Sequence, residues 1–134
     1  MVAGELSKVS DVVDASSCVC RDGVLMVTVR GVPESTDYVR LVEACYPKFD
    51  FKHALWDFRN SSASGLSYAA FDPLAEVTAH FDKERGEGSK TAVLVRSDLD
   101  RLLFRAFAES KKETLTCEMR AFFDEDEAWA WLKD

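Results

Sequence analysis

Chemistry in this sequence is concentrated in one short stretch that follows an apolar run. The run ends in a carboxylate, Asp57, and a guanidinium, Arg59, and the loop that follows contains Ser61, Ser62, Ser64 and Gly65. A carboxylate beside hydroxyl groups suits acid–base chemistry, and a serine in such a loop suits phosphorylation. The same residue types also serve as turn and capping residues, because their side chains bond to nearby backbone groups.

Asp57 lacks the neighbours that an acid–base catalyst needs. No histidine or second carboxylate stands at a recognisable spacing from it, and the chain has no nucleophile elbow, P-loop or dinucleotide-binding glycine pattern. We expect Asp57 to cap its loop or to pair with Arg59 or Arg96, at a strand end where open α/β sheets place ligands or partners. The sequence predicts no catalytic residue, with an enzyme using Asp57 and the serine loop as an alternative.

Two arginines one helical turn apart form a second candidate site. Arg101 and Arg105 fall at i and i+4 of a predicted helix, where paired guanidinium groups could grip an anion or an acidic partner. The alternative is a solvated helix face with a salt bridge from Arg105 to Glu109. We keep the arginine pair as candidate anion contacts.

The residues that usually bind metals are few and scattered along the chain. They are Cys18, Cys20, Cys45, Cys117, His53 and His80. A zinc site needs clustered pairs of such ligands. Cys18 and Cys20 would share one face of a strand, which leaves a metal or redox role as an alternative to buried free thiols. We predict no metal and no cofactor.

Length and composition indicate a single domain. The chain has 134 residues, 47% of them hydrophobic and 31% charged, which suits a globular protein with one core. Its net charge of −7 disfavours nucleic-acid binding, since phosphate contacts need a basic surface. No segment approaches the ~20 apolar residues of a membrane span, and no signal-peptide pattern opens the chain. We expect a cytoplasmic protein without membrane insertion, with a loose arm over 1–16 and one domain over 17–134.

Periodicity predicts strands that alternate with helices. Strands are expected at 18–21, 24–30, 53–58, 91–95 and 116–122, the first two joined by an Asp22-Gly23 turn. Helices are expected to begin near Ser35 or Thr36, Leu66, Ser97 and Asp124, the second restarting or kinking at Asp72-Pro73. The third carries an apolar set of Leu99, Leu102, Leu103, Ala106 and Phe107. This order implies an α/β fold with a mostly parallel sheet of four or five strands, an N-terminal hairpin and about four helices.

Three stretches share a spacing with a known family: Leu55–Arg59 (LWDFR), Lys90–Val95 (KTAVLV) and Arg120–Leu132 (RAFFDEDEAWAWL). Over residues 18–132 their order resembles that of the SpoIIAA-like, STAS-type domains of bacteria. The resemblance implies a small α/β domain with helices packed on a β-sheet. It also implies a non-catalytic regulatory module that acts through protein–protein contacts with a partner the sequence does not name. A carrier or sensor of a small apolar, lipid-like ligand is the alternative.

The same resemblance gives the serine loop a role. In anti-sigma-factor antagonists of this family, a serine of an Asp-Ser-Ser-Gly-Leu motif is phosphorylated, and Ser64 matches its position. A phosphate there would meet free backbone N–H groups and the positive end of a helix dipole. The loop departs from the motif, because Ser62 replaces the aspartate and Ala63 replaces a serine. The candidate phosphoacceptor or partner-contact residues are Ser61, Ser62, Ser64 and Gly65.

Large aromatic residues are numerous for so small a domain: Trp56, Phe104, Phe107, Phe122, Phe123, Trp129 and Trp131. On a helix, Trp129 and Trp131 lie roughly 160° apart, since each residue turns the helix by about 100°. They cannot both face one core, so some aromatic surface should be exposed or buried in a homodimer. A small apolar ligand in a core cavity and plain dense packing are the alternatives.

Overall fold

Within the residues that the structure describes, a five-stranded sheet forms the centre of the fold, with its strands in the order β1-β2-β3-β4-β5. The computed structural model describes residues 16–62 and 66–134. The strands are β1 (Ser17–Arg21), β2 (Val24–Thr28), β3 (His53–Asp57), β4 (Lys90–Leu94) and β5 (Glu118–Phe122). β1 pairs antiparallel with β2, and the other neighbouring strands pair in parallel. The predicted α/β fold with a mostly parallel sheet and an N-terminal hairpin is confirmed.

Within the described part of the chain, four helices pack on the two faces of the sheet. They are α1 (Ser35–Cys45), α2 (Tyr68–Arg85), α3 (Asp98–Ser110) and α4 (Glu125–Lys133), with a 3-10 turn at Tyr46–Lys48. The first three connect successive parallel strands, and because such crossovers are right-handed they share one face. α4 follows the last strand and covers the other face. Each described helix is too short or too polar to cross a lipid bilayer.

The two faces of the sheet carry separate apolar clusters. Val27 and Val93 join Tyr38 of α1 and Phe107 of α3 in the larger cluster. The smaller cluster consists of Val24, Leu55, Ala92 and Leu94 with Ala128 and Leu132 of α4. Because the central strands are buried on both faces, their sequences read as nearly continuous apolar runs rather than as alternating patterns.

The hairpin turn is built by backbone that adopts left-handed angles. Asp22 and Gly23 have φ values of 54° and 75°, as a tight two-residue hairpin requires. The Gly23 carbonyl accepts the backbone N–H groups of Lys52 and His53 at 3.0 and 3.3 Å. The hairpin is therefore tied to the start of β3 as well as closed on itself.

Helix caps set the start of the last two helices. Ser97 Oγ accepts the backbone N–H of Asp100 at 3.1 Å, and Asp124 Oδ1 accepts that of Asp126 at 2.8 Å. Each bond satisfies a donor that the first helical turn leaves without an intrahelical partner. The predicted starts of α3 and α4 are confirmed.

The starts of the first two helices differ from the prediction. The N-cap of α1 is Glu34, not Ser35 or Thr36, and its backbone N–H donates to Asp37 Oδ2 at 2.8 Å. The Asp37 carboxylate, at the third helical position, thus accepts the backbone N–H of the N-cap residue, as the acidic residue of a capping box does.

The second helix neither begins at Leu66 nor restarts at Asp72-Pro73. It runs unbroken over Tyr68–Arg85, with Ser67 at its N-cap and Pro73 inside it. Since proline lacks an N–H, the carbonyl of Ala69 loses its usual helical donor. Ala69 lies on the exposed side of the helix, where water can replace that donor.

A buried ion pair braces the amino-terminal edge of the sheet. Arg85 Nη1 lies 2.7 Å from Asp82 Oδ1, and the two side chains are 2% and 0% exposed. Arg85 also donates to the carbonyl oxygens of Lys52 and Lys90 at 3.1 and 2.8 Å. These carbonyls stand at the starts of β3 and β4, so one guanidinium joins the end of α2 to two central strands.

Candidate functional site

The parallel strands β2 to β5 all end at one edge of the sheet, which we call the C-terminal rim. Asp57 is the last residue of β3, and Arg59 binds its carboxylate with two side-chain groups. Arg59 Nε donates to Asp57 Oδ1 at 3.0 Å and Nη2 donates to Oδ2 at 2.8 Å. The backbone N–H of Arg59 also donates to Oδ1, at 2.9 Å. The expected capping and pairing role of Asp57 is observed, with Arg59 rather than Arg96 as the partner.

This environment holds Asp57 in its charged form. Burial alone would raise the pKa of the carboxyl, but the hydrogen bonds from Arg59 and the positive charges of Arg59 and Arg30 outweigh it, so the pKa is lowered. A carboxylate stabilised in this way is a weak base. Its oxygens are also occupied by a guanidinium, which leaves it poorly placed to accept a proton from a substrate.

Arg59 also connects the rim to α4, the helix on the face of the sheet that α1 to α3 do not cover. Its Nη2 donates to Glu125 Oε1 at 2.8 Å, across 66 positions of sequence. Glu125 lies in the first turn of α4, so the pair fixes the start of that helix over the end of β3. Sequence reasoning missed Glu125, because an acidic residue in a helix's first turn is already explained by the helix dipole.

The first residue of the serine loop, Ser61, is hydrogen-bonded to the segment that follows β2. Ser61 Oγ donates to the Gly31 carbonyl at 2.7 Å, and Ser61 and Gly31 form an isolated parallel bridge that continues the β2–β3 pairing. Ser61 is buried and Ser62 is half-buried. The predicted phosphoacceptor Ser64 and its neighbour Gly65 lie outside the described residues.

Large apolar side chains are exposed along the rim. The exposed fractions are 65% for Val32, 64% for Leu99, 58% for Leu102 and 43% for Phe123. Val32 follows β2, Phe123 follows β5, and the two leucines lie in the first turns of α3, directly after β4. A fifth residue of this kind, Val19 with 55% exposure, lies away from the rim on β1.

The orientation of α3 corrects its predicted apolar face. Phe104 and Phe107 are buried together with Asp100, whereas Leu99 and Leu102 point to solvent. The apolar stripe of this helix is wider than the surface that the sheet and α2 cover, so a periodicity argument could not tell which part stays outside. The sequence did contain one signal: α3 has more apolar residues than one buried helix face can hold, so some of them had to be exposed.

The candidate anion contacts lie on the side of α3 that faces β5. Arg101 and Arg105 are both exposed, and the Arg101 guanidinium carbon lies 5.4 Å from the centre of the Phe123 ring. The alternative salt bridge from Arg105 to Glu109 is not the pair that forms. Glu109 Oε2 instead lies 3.9 Å from Lys112 Nζ.

The two tryptophans of α4 point to opposite sides of the helix, as expected. Trp131 lies between two cations, with Lys90 Nζ and the Arg120 guanidinium carbon each 5.2 Å from its ring centre. Trp129 lies under Arg21 at 5.3 Å. Both rings are half-buried. Cation–π contacts therefore cover much of the aromatic surface that the sequence left unassigned.

A small cavity lies in the larger core cluster, between the sheet and the helices α1 to α3. It measures about 30 Å³, and the aromatic residues around it include Trp56, Phe58, Phe104 and Phe107. The lining is almost wholly apolar, as a carrier of an apolar ligand would need. A benzene-sized ligand occupies a cavity of about 150 Å³, so this space is too small for a lipid.

The cysteines are free thiols in varied environments. Burial raises the pKa of Cys117 to about 11, and burial together with the hydrogen bond of its thiol to Cys18 raises that of Cys45 to about 12. Such thiols are unreactive at neutral pH. Cys18 and Cys20 are half-buried in β1. Among the described residues, no cluster of three or more potential ligands could hold a metal ion.

Comparison with known proteins supports the fold assignment. The chain superimposes on an anti-sigma factor antagonist from Mycobacterium paratuberculosis with a TM-score of 0.60 and 17% identity, covering 89% of this chain and 93% of that one. For an uncharacterized protein with a SpoIIAA-like fold from Shewanella loihica the TM-score is 0.57 with 18% identity, covering 87% and 91%. The SpoIIAA-like, STAS-type fold inferred from the sequence is confirmed.

Comparison of sequences gives less information about the chain than comparison of structures. No family model matches the chain. Over 77 residues it is 34% identical to ribonuclease 3 of Campylobacter curvus, a stretch that covers 56% of this chain and 33% of that enzyme. The chain thus spans about a third of the length of this curated relative.

Proposed function

We propose that this protein is a non-catalytic, STAS-type binding module that regulates a protein partner through its C-terminal rim. The exposed apolar side chains Val32, Leu99, Leu102 and Phe123 on that rim carry the proposal. Several large apolar side chains exposed at one edge of a small domain are the kind of surface that contacts another molecule. The similar fold of an anti-sigma factor antagonist supports a regulatory role.

The rim combines this apolar surface with a fixed polar frame. Arg59 binds both Asp57 and Glu125, and so joins the C-terminal end of β3 to the start of α4. Ser61 ties the loop after β3 to the end of β2 through Gly31. A surface whose frame is rigid before binding loses less conformational entropy when a partner docks.

Within the described part of the serine loop, catalysis by Asp57 and Ser61 is not supported by this geometry. The Asp57 oxygens accept hydrogen bonds from Arg59, and the Ser61 hydroxyl is directed at a backbone carbonyl. Neither group is in a position to exchange a proton with the other. An Asp57→Asn variant that lost a measurable activity would argue for the enzyme alternative.

Ribonuclease activity is not part of the proposal. The match to ribonuclease 3 covers only a third of that enzyme, and the net charge of −7 disfavours RNA binding. The carrier alternative is likewise set aside, since the core cavity of about 30 Å³ has no room for a lipid-sized ligand.

Site-specific photo-crosslinking in extracts of the source cells tests the rim. A benzophenone side chain is placed at Val32 or Leu99, and at Val19 as the matched control, because Val19 is an exposed aliphatic residue away from the rim. We expect the same partner adduct from both rim positions and none from Val19. Leu102→Asp should abolish the adduct formed from Leu99. An identical adduct from Val19, or none from the rim, would overturn the proposal.

Phosphorylation of the serine loop is the mode of regulation that accompanies this proposal. Ser64 is the expected acceptor, and Ser61 is a poor one, because its buried hydroxyl already donates to Gly31. Phosphopeptide mass spectrometry of the protein from its source cells should place phosphate on Ser64. Phosphate on Ser61 alone would contradict this assignment.

A further inference from the structure

The outer edge of β5 opens into a groove beside α3. β5 is the last strand of the sheet and, within residues 16–62 and 66–134, it pairs only with β4. The groove measures about 500 Å³. Its main lining residues are Arg101, Phe104, Arg105, Met119, Arg120 and Ala121. We call this space the β5 groove.

The backbone of β5 has hydrogen-bonding groups available on the groove side. The Glu118 N–H donates to the Ser89 carbonyl at 3.0 Å, and the Phe122 carbonyl accepts the Val95 N–H at 2.9 Å. The backbone groups of the even-numbered residues of β5 therefore face β4. In a strand, alternate residues direct their backbone groups to opposite edges. The N–H and C=O groups of Met119 and Ala121 therefore point to the open edge, where another strand could add.

The groove is basic although the protein is acidic. Within the described residues, Arg101, Arg105 and Arg120 form no ion pair with a carboxylate, in contrast to Arg59 and Arg85. Arg101 and Arg120 instead lie over the rings of Phe123 and Trp131.

One carboxylate, that of Glu109, also lines the groove, and it is paired with Lys112 at 3.9 Å. Three guanidinium groups therefore outnumber the acidic groups in this space, in a chain whose net charge is −7.

We propose that the β5 groove binds an acidic peptide segment of a partner protein as an added β-strand. Met119 and Ala121 would supply the main-chain bonds, and the arginines on both sides of the strand would pair with acidic side chains of the peptide. Phe104 and Met119 give the groove an apolar floor for the peptide's smaller side chains. This proposal rests on β5 and is independent of the rim.

A second copy of the chain fits the groove less well. Antiparallel pairing of the whole of β5 with itself would place Arg120 opposite Arg120, and the arginines of both α3 helices would converge on the same interface. Like charges directly opposite each other on paired strands are destabilising. The charge pattern therefore favours an acidic occupant over a homodimer.

A designed peptide tests the proposal on the intact protein. The probe is a fluorescein-labelled peptide of about eight residues, the length of a long strand, in which pairs of glutamates alternate with pairs of threonines so that glutamates lie on both faces of the added strand. Its control has lysine in place of each glutamate. We expect the acidic peptide to raise fluorescence anisotropy on binding, with an affinity that falls as salt rises, and the lysine peptide not to bind.

Two variants locate the binding. Arg105→Glu should weaken the acidic peptide at least about ten-fold, because it reverses one charge-assisted contact. Arg40→Glu on α1 is the matched control and should leave the affinity unchanged, since Arg40 is an exposed arginine on another helix. Ala121→Pro removes an edge N–H without touching the β4–β5 bonds, and it should also abolish binding.

The outcomes that overturn the proposal are distinct. Equal binding of the lysine peptide, equal effects of Arg105→Glu and Arg40→Glu, or unchanged NMR amide signals of Met119 and Ala121 at saturation would each exclude strand addition. A peptide-free dimer abolished by Ala121→Pro would make a second copy the occupant instead. Leu99→Asp, which alters the exposed apolar surface of the rim, should not alter peptide affinity.

Discussion

Arg59 grips the carboxylate of Asp57 from two residues away, with side-chain bonds of 3.0 and 2.8 Å and a backbone bond of 2.9 Å. A carboxylate at the end of a central strand is where many α/β proteins place a functional group. Here that position is used to close a loop and, through Glu125, to fix a helix. These bonds hold the rim in place, and the carboxylate most suited to catalysis is part of that bond network.

Arg59→Gln should raise the pKa of Asp57 and lower the free energy of unfolding by about 1–2 kcal/mol, the range for losing charge-assisted hydrogen bonds at a partly exposed site. Because the folded-state pKa is depressed, this stability is present above the ordinary pKa of aspartate, about 3.9, and is lost as pH falls further. Carboxyl NMR titration and urea unfolding measure both effects.

The control for this prediction is Arg96→Gln, since Arg96 is exposed on the same rim. It should leave the Asp57 titration unchanged. If both variants shifted the titration equally, the direct bonds from Arg59 would not be the cause of the lowered pKa.

The buried pair of Asp82 and Arg85 should be costly to break. Arg85→Met leaves Asp82 without its partner in a site with 0% exposure, and we expect a loss of about 3–5 kcal/mol in unfolding free energy. Arg105→Met, an exposed arginine on α3, should change stability by less than about 0.5 kcal/mol. Chemical denaturation of the two variants makes the comparison.

A double variant separates the charge from the packing. Asp82→Leu together with Arg85→Met removes both buried charges, and it should be more stable than Arg85→Met alone. If the double variant were the less stable, the unpaired carboxylate of Asp82 would not be the source of the loss in Arg85→Met.

The orientation of α3 can be tested by stability. Leu99→Ala should cost less than about 0.5 kcal/mol, because Leu99 is exposed, whereas Phe107→Ala should cost about 3–5 kcal/mol. Thermal and urea unfolding give both values. Equal costs would mean that Leu99 is buried in solution and does not belong to the exposed apolar residues of the rim.

Local signals account for what the sequence predicted well. The Asp22-Gly23 hairpin and the caps at Ser97 and Asp124 depend on residues within a few positions of each other, so their chemistry is visible in the sequence. Alternation of strands and helices then leaves few topologies for a parallel sheet. The order of the elements could therefore be derived without any tertiary information.

Long-range contacts account for what the sequence did not predict. Arg59 and Glu125 are 66 positions apart, and nothing local indicates that one binds the other. The exposure of Leu99 depends on how much of α3 the sheet and α2 can cover. Basic residues are common at helix ends, and the burial of Arg85 follows only from the positions of Lys52 and Lys90 at the starts of β3 and β4.

His53 should make the protein less stable in mild acid. Its Nδ1 accepts the backbone N–H of Lys90 at 3.0 Å, which requires a neutral ring, and burial followed by the positive charges of Arg85 and Lys90 lowers its pKa. In the unfolded chain the ring gains a proton below about pH 6.5, while the folded protein resists protonation. The unfolded state then binds more protons, so stability falls as pH drops below that value.

Urea unfolding between about pH 7 and 5, above the range where carboxylates titrate, isolates this effect. His53→Asn should flatten the pH dependence, because an amide oxygen can accept the Lys90 N–H without titrating. His80→Asn is the matched control, since His80 lies exposed on α2, and it should retain the slope of the unmodified protein. A slope that survived His53→Asn would assign the acid sensitivity to another group and contradict this account of His53.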